Sequence, residues 1–215
     1  MTFLPSMSWR TPAPPRRSPG YIEPCLPTRS SKPPEGPQWI HEIKHDGYRL
    51  IVRKHDGRVR LFTRRGYDWT DRYPLIRDAA AAQQARSVTI DGEAVYCDHT
   101  GLAIFEKLHS RAYDDRVFLY AFDLLEHDGV DYRPQELWAR KVRLERLLAK
   151  VRGGITFNEH LTGDGATIFK HACKLGFEGI VSKHQEHAYR SGPSKSWLKT
   201  KNPASPAALR FEHRE

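Results

Sequence analysis

Two copies of the tetrapeptide KHDG, which begin at Lys44 and at Lys54, raise the question of a reactive lysine. A lysine amine is a nucleophile only when it has lost its proton, and burial or neighbouring cations lower the lysine pKa enough to favour that state. A lysine that ends a buried strand, beside an aspartate and a glycine that let the backbone approach closely, could meet this condition. Covalent catalysis is therefore one interpretation of the motif, and chance recurrence of a short motif is the other.

The Lys54 copy has a structural explanation. It joins the alternating runs LIVRK and RVRLF, and Asp56-Gly57 supplies the residues that a tight β-hairpin turn requires. We therefore expect the Lys54 side chain to be solvated at the end of a hairpin. The Lys44 copy instead follows the strand-like stretch WIHEI and has Arg49 after it, for which the second copy has no counterpart.

Five further motifs follow Lys44 in order along the chain. They are TRRG at 63–66, DGE at 91–93, FDLL at 122–125, EGIVSK at 178–183 and WLKTK at 197–201. Together with HEIKHDGYR, this series resembles the signature of the covalent nucleotidyltransferases, which include ATP-dependent DNA ligases and mRNA capping enzymes. It is most similar to the ligase module of bacterial non-homologous end-joining ligases, over residues 21–202. The resemblance implies that Lys44 is the nucleophile and that Lys54 is a look-alike.

The resemblance also implies a reaction. Lys44 would attack the α-phosphorus of ATP to form lysyl-AMP, the AMP would pass to a DNA 5′-phosphate, and the nick would be sealed in the course of DNA repair. Because the chain has no GxxxxGK[ST] motif, we expect cations and a divalent metal to neutralise the phosphates in place of a P-loop. The implied partners are nicked or broken double-stranded DNA and a Ku-like end-binding protein.

The residues implied to bind the nucleotide come from all six motifs. They are Glu42, Ile43, Arg49, Arg64, Glu93, Phe122, Lys183, Lys199 and Lys201. By resemblance, Glu42 helps to recognise the adenine, Phe122 stacks on the base, and Arg49 and Glu93 contact the ribose. Strand alternation in FLYAFDLL independently predicts a face shared by Phe118, Tyr120, Phe122 and Leu124.

The resemblance places a metal and the phosphates at the other end of the site. Glu178 and Glu93 would hold Mg²⁺ (or Mn²⁺), for which oxygen ligands are suited. Arg64 would reach a phosphate. Lys199 and Lys201 are two residues apart on a predicted strand and so face the same way, which favours an anion such as a triphosphate between them. A solvated edge strand guarded by lysines is the alternative.

The composition limits the class of protein. With 35 Lys plus Arg against 26 Asp plus Glu, the net charge is +9, which suits a polyanionic partner such as nucleic acid. No apolar run is long enough for a transmembrane helix, and the N-terminus has no secretory h-region. Three scattered cysteines without a CxxC pair argue against disulfides and zinc and indicate a reducing cytoplasm. The resemblance implies a bacterial cytoplasm with association with the nucleoid, and we expect a monomer.

Strand patterns dominate the chain and helix patterns interrupt them irregularly. Strands are predicted at 39–43, 50–54, 58–62, 87–96, 117–125, 177–184 and 196–202, and helices at 71–85, 134–150 and 165–176 with Gly176 as the C-cap. Hairpins with inserted helices favour an α+β fold over a doubly wound sheet. The fold implied by the resemblance is that of the covalent nucleotidyltransferases (ATP-grasp-like, DNA ligase adenylation), with antiparallel sheets flanked by helices.

The predicted organisation is a flexible Pro/Arg-rich tail at 1–19, the adenylation domain at 20–202 and a short C-terminal tail at 203–215. We expect no C-terminal oligonucleotide-binding (OB) barrel, because too few residues follow Lys201. The sequence is then either a fragment or a minimal domain, which bears on self-adenylylation and nick sealing. The alternatives are an RNA ligase, a GTP-using capping-type enzyme, or a catalytically silent DNA-binding module; the intact lysine and carboxylate motifs argue against the last.

Overall fold

The described part of the chain folds into two sheets with helices packed against them. The computed structural model describes residues 20–212, with the backbone alone for 211 and 212. The strands are β1 Cys25–Arg29, β2 Trp39–Ile43, β3 Tyr48–His55, β4 Arg58–Thr63, β5 Ser87–Val95, β6 Phe118–His127, β7 Val130–Asp131, β8 Ile155–Phe157, β9 Gly179–His184 and β10 Gly192–Lys201. The helices are α1 Pro74–Ala81, α2 Phe105–Ser110, α3 Leu137–Leu148, α4 Gly165–Lys174 and α5 Pro206–Glu212.

The larger sheet has six strands in the order β4-β3-β5-β6-β7, with β8 also beside β6, and the smaller sheet has the order β1-β10-β9-β2. Every pairing is antiparallel except β1 with β10 and β6 with β8. The predicted α+β class with antiparallel sheets and flanking helices is confirmed. The predicted tail at 1–19 lies outside the described residues, and α5 lies in the segment that we assigned to the C-terminal tail.

The core has two parts because β3 is buried on both faces. Leu50 and Val52 point into the main core, which α1 and α3 close, whereas Ile51 points into a smaller cluster that joins the two sheets. This double burial explains why LIV forms a continuous apolar run. Strand β1 lies at the edge of the smaller sheet.

Strand β6 contains two bulges. Its pairing with β5 shifts register twice, which leaves Phe122 and Leu125 without an opposite residue. Both side chains enter the cluster between the sheets, whereas Leu124 joins the main core. The prediction that Leu124 shares a face with Phe122 is therefore wrong, because each bulge inserts one residue into the alternation.

The helices agree with the sequence patterns at their centres and are shorter at their ends. Pro74 is the first residue of α1, and Gly176 has a φ of 83° just after α4, as a C-cap requires. The sequence patterns missed α2, α5, β7 and β8, all of which are short. No helix within residues 20–212 is both long and apolar enough to cross a lipid bilayer.

Candidate active site

A cavity of about 340 Å³ lies where the two sheets meet, and its size is typical of small-molecule sites. Most of the predicted site residues line it: Glu42, Ile43, Lys44, Arg49, Arg64, Glu93, Phe122, Lys183 and Lys199. A second cavity of about 150 Å³ shares Lys44 and His45 with the first and is also lined by Glu178. Lys44 therefore stands where the two cavities meet.

Lys44 follows β2 directly and is tied to β9. Its backbone N–H donates to the carbonyl of Gly179 at 2.9 Å, which continues the pairing of the two strands. Its Nζ donates to Glu178 Oε2 at 2.5 Å, and Lys201 Nζ lies 3.2 Å from the other carboxylate oxygen. One buried carboxylate thus holds two ammonium groups, so the anion near Lys201 in this structure is Glu178.

The two KHDG copies have different structures. Gly47 packs so closely that an added Cβ would lie 2.2 Å from the carbonyl oxygen of Ala94. Asp56 and Gly57 instead have φ values of 46° and 77° in the β3–β4 turn, and Gly57 has open space around it. The hairpin predicted for the second copy is therefore confirmed.

The predicted solvation of Lys54 is wrong. The residue is only 7% exposed, and its Nζ donates to the carbonyl of Ala81 at 2.9 Å and to that of Gln83. Strand alternation places Lys54 on the same face as Val52, which is the face that α1 covers. The ammonium therefore satisfies carbonyls at the C-terminal end of α1, where a cation is favourable.

Glu93 is the carboxylate of the cavity wall, and it lies opposite Arg49 in the β3–β5 pairing. Burial raises its pKa to about 7, and the charge of Glu178 adds to this, although Lys44 and Arg49 act in the opposite direction. A carboxyl with such a pKa lacks enough positive charge beside it. A cation bound here would relieve that deficit.

Glu93 and Glu178 fit a metal that is shared with a substrate. Within residues 20–212, no group of three or more His, Cys, Asp or Glu side chains could hold a metal ion by itself. Mg²⁺ is commonly bound through one or two carboxylates, with substrate phosphates and water completing its shell. The two carboxylates therefore fit a Mg²⁺ site whose remaining ligands come from a phosphate-bearing substrate and water.

Glu42 is buried at the floor of the cavity between two lysines. Lys141 Nζ donates to its Oε1 at 2.7 Å, Lys183 Nζ donates to Oε2 at 2.7 Å, and Asn158 Nδ2 donates to Oε2 at 3.1 Å. Burial alone would raise the pKa of Glu42, but the two lysines lower it overall. The carboxylate is therefore ionised and presents acceptors only.

Aromatic rings form the wall beside Glu42. Lys183 Nζ lies 4.1 Å from the ring centroid of Phe122 and 4.0 Å from that of Trp197. Burial lowers the pKa of Lys183 to about 8, an effect that Lys141 reinforces and Glu42 opposes. The guanidinium carbon of Arg49 also lies over the Phe122 ring, 4.3 Å from its centroid.

Arg49 is held rigidly by Asp91. Its Nε donates to Oδ1 at 2.5 Å and its Nη2 donates to Oδ2 at 2.7 Å, while the carboxylate is fully buried. Burial alone would lower the pKa of Arg49, but the Asp91 carboxylate raises it. The guanidinium is thus a permanent positive charge in the cavity wall.

Lys199 and Arg64 place further positive charge at the cavity edge. Burial lowers the pKa of Lys199, and the charges of Lys44, Lys201 and Arg64 lower it further. Cations that lower the pKa of a neighbour in this way would be stabilised by an anion bound between them.

Asp46 of the first KHDG copy and Asp123 of FDLL both form ion pairs. Asp123 accepts two hydrogen bonds from Arg140, at 2.7 and 2.8 Å, with both side chains fully buried. Asp46 pairs with Arg210 of α5, which also lies 3.4 Å from Glu106.

Sequence reasoning missed Lys141, Asn158 and the role of Asp91. A signal existed for Lys141, because it lies four residues after Leu137 and three before Leu144 on the buried stripe of α3. Asp91 was visible only as the first residue of DGE. Asn158 follows the short strand β8 and has no local pattern that marks it.

Comparison with known proteins places these features in a family. Residues 29–201 match the model described as the ATP dependent DNA ligase domain. The chain is 39% identical over 187 residues to the multifunctional non-homologous end joining protein LigD of Pseudomonas aeruginosa, which covers 85% of this chain and 22% of that protein. It is 39% identical over 166 residues to the LigD of Mycobacterium tuberculosis, which covers 77% of this chain and 22% of that protein.

Solved structures agree with the sequence comparison. The ligase domain of M. tuberculosis LigD matches with a TM-score of 0.75 and 38% identity, over 84% of this chain and 60% of that one. A mycobacterial DNA ligase D complexed with ATP and MES matches with a TM-score of 0.74 and 38% identity, over the same shares of the two chains. The chain spans 22% of the length of the two curated relatives.

Proposed function

The chain belongs to the ATP-dependent DNA ligase domain family, and on that premise we propose that it is the adenylation domain of an end-joining DNA ligase. In this proposal Lys44 takes AMP from ATP and passes it to a DNA 5′-phosphate, and the 3′-hydroxyl then attacks to seal the strand. The observation that carries the proposal is the position of Lys44 Nζ. It lies at the edge of the nucleotide-sized cavity, 2.5 Å from Glu178 and among cations that suit a triphosphate.

The first step uses few groups of the chain. Lys44 Nζ forms a bond to the α-phosphorus while the bond from that phosphorus to the oxygen of pyrophosphate breaks. Glu178 Oε2 already accepts a hydrogen bond from Nζ and can take the proton that the amine loses. Arg64, Lys199 and Lys201 would neutralise the charge of the departing pyrophosphate.

Glu178 and Glu93 are the residues that would hold Mg²⁺ (or Mn²⁺). When bound, the metal would neutralise charge on the phosphate oxygens. Glu93 gains most from a cation, because its pKa is raised to about 7 by burial and by the nearby Glu178.

The inner part of the cavity would hold the adenosine. Phe122 offers an aromatic face for the base, and the acceptor oxygens of Glu42, with Ile43 beside it, suit the amino group of adenine. Lys183 closes the floor between two rings, and Arg49 with Glu93 lies where the ribose would fit. An acceptor-only carboxylate would disfavour the carbonyl of guanine, so we expect ATP to be preferred over GTP.

The DNA substrate and the setting belong to the same proposal. A net charge of +9 suits nicked or broken double-stranded DNA. Both compared relatives are bacterial proteins named for non-homologous end joining. We therefore propose action on DNA in the bacterial cytoplasm, at ends presented by a Ku-like partner.

The decisive experiment is covalent labelling. The chain is incubated with Mg²⁺ and ATP labelled at the α-phosphate, and acid-labile label is sought on the denatured protein. We expect label on the wild type and on Lys54→Met, and none on Lys44→Ala. Label that survives in Lys44→Ala would refute Lys44 as the nucleophile, and absence of label from every form would count against autonomous adenylylation.

Two further arms test the substrates. Labelling from GTP in preference to ATP would favour a capping-type enzyme. Sealing of a pre-adenylylated nick in DNA but not in RNA is expected, and it does not depend on the ATP step. A chain that neither accepts label nor seals that nick, but binds DNA, would be a silent DNA-binding module.

A further inference from the structure

A closed ring of hydrogen bonds lies behind the nucleotide cavity. The backbone N–H of Cys25 donates to the hydroxyl of Tyr189 at 2.8 Å, and that hydroxyl donates to Asp91 Oδ2 at 2.6 Å. Asp91 accepts both hydrogen bonds from Arg49, and Arg49 Nη2 also donates to the carbonyl of Cys25 at 3.1 Å. The ring thus begins and ends at one residue of β1.

The ring links the two sheets and a loop through polar groups. Cys25 belongs to the smaller sheet, Arg49 and Asp91 belong to β3 and β5 of the larger sheet, and Tyr189 lies in the loop between β9 and β10. Tyr189 is the group that connects the β1 backbone N–H to the Asp91 carboxylate. Its ring also packs edge-on against Trp197, with centroids 6.0 Å apart.

Three members of the ring are almost fully buried, so each of their hydrogen bonds matters. Cys25 is 1% exposed, Asp91 is 0% exposed and Tyr189 is 6% exposed. Burial and the Asp91 carboxylate raise the pKa of Tyr189 well above its ordinary value, so the hydroxyl keeps its proton and donates it. A buried carboxylate that loses one donor re-orients toward its remaining donors or recruits water.

We propose that Tyr189 is a positioning residue that aims the Arg49 guanidinium at the bound nucleotide through Asp91. This proposal rests on the proposed function of the cavity, and it adds a residue that lies outside the six motifs. Arg49 lines the cavity with its guanidinium carbon 4.3 Å from the ring centroid of Phe122, so a rotation of the Asp91 carboxylate would displace the guanidinium from that ring. The consequence is weaker ATP binding with little effect on the chemical step.

The test compares two buried tyrosines. Tyr189→Phe removes the ring hydroxyl, and Tyr73→Phe removes a buried hydroxyl that has no hydrogen-bond partner among the described residues. The dissociation constant of ATP is measured by calorimetry in a Lys44→Ala background, so that no chemistry intervenes. Tyr189→Phe should weaken ATP binding about tenfold, as expected for one hydrogen bond to a charged group. Tyr73→Phe should leave ATP binding unchanged.

Three controls separate positioning from general stabilisation. With Lys44 intact, the maximal labelling rate of Tyr189→Phe should change by less than about threefold, which gives a binding-only effect. In an Arg49→Lys background, Tyr189→Phe should cause no further loss of ATP affinity, because the guanidinium that Tyr189 positions is already absent. Asp91→Asn, which keeps the size of the side chain, provides a second variant should Tyr189→Phe not fold. A loss of ATP affinity at least as large is expected, because this variant also removes an acceptor for Arg49.

Unchanged ATP affinity in Tyr189→Phe, or an equal loss in the Arg49→Lys background, would overturn the positioning role even if the melting temperature falls. Failure of the proposed function is distinguishable. If the wild type accepts no label but the Lys44→Ala chain binds ATP, the affinities still decide the role of Tyr189. If the Lys44→Ala chain binds no ATP at all, both proposals fail.

Discussion

Alanine placed at the two KHDG glycines should have very different effects. At Gly47 an added Cβ would lie 2.2 Å from the oxygen of Ala94 and 3.0 Å from a methyl group of Val95. An ordinary contact between carbon and oxygen is about 3.3 Å, so one backbone must move by roughly 1 Å. The nearest pairing is Tyr48 with Ala94, next to the pairing of Arg49 with Glu93.

The size of the effect follows from this geometry. Loss of two backbone hydrogen bonds at about 1 kcal/mol each, together with about 2 kcal/mol of packing strain, gives roughly 4 kcal/mol for Gly47→Ala. At Gly57 the space is open and the cost is that of a positive φ, about 1 kcal/mol. For a chain of this size each kcal/mol lowers the melting temperature by about 2–4 °C.

Thermal unfolding followed by circular dichroism is the assay, with covalent labelling as a second readout. Gly47→Ala should melt roughly 10 °C below the wild type and lose labelling, whereas Gly57→Ala should melt roughly 3 °C lower and keep it. Gly57→Asn is the matched control, because asparagine tolerates a positive φ. Equal melting temperatures for Gly47→Ala and Gly57→Ala, with labelling intact in both, would refute the close-approach explanation.

Three further outcomes are expected. Lys54→Met should lower stability by about 1–3 kcal/mol in urea unfolding, because the carbonyls at the end of α1 lose their donor. The variant should still accept the covalent label, and loss of label with unchanged stability would contradict this explanation. Arg140→Met should destabilise the chain by about 3–5 kcal/mol in urea unfolding, since it leaves the fully buried Asp123 charge unpaired. A change below about 1 kcal/mol would contradict this and show that the Asp123 carboxyl takes up a proton or binds water. Burial lowers the pKa of His45 to about 4, so the unfolded chain binds the extra proton and stability is lost as pH falls from about 6.5 to 4. His45→Gln should remove up to about 3 kcal/mol of that loss in urea unfolding at each pH, and an unchanged pH dependence would contradict it.

Most of the strands and most of the residues that line the cavity between the sheets were predictable from the sequence, because their signals are local. Alternation marks β3 and β4, and Asp56 with Gly57 marks the turn between them. The residue types of the motifs identify the groups that line the cavity. The roles of these residues toward nucleotide and metal stay predictions.

Apart from the bulges of β6 and the short elements, the failures concern partners that are distant along the chain. Lys54 can be buried because two backbone carbonyls, 27 and 29 residues away, accept hydrogen bonds from its ammonium group. Lys141 meets Glu42 across 99 residues, and Tyr189 meets Asp91 across 98 residues. No local pattern specifies such a pair, since the energy of a buried charge depends on a partner that only the tertiary fold supplies.

The two bulges of β6 limit how the length of this segment can evolve. Ten residues, 118–127, run beside only eight, 88–95, and the two surplus residues are Phe122 and Leu125. A deletion of one residue here would turn every later side chain of the strand to the opposite face. We therefore expect natural insertions and deletions to collect in turns such as 98–101 and 128–129. An alignment that opens a gap within 118–127 would mark a relative whose cavity wall at Phe122 has been rebuilt.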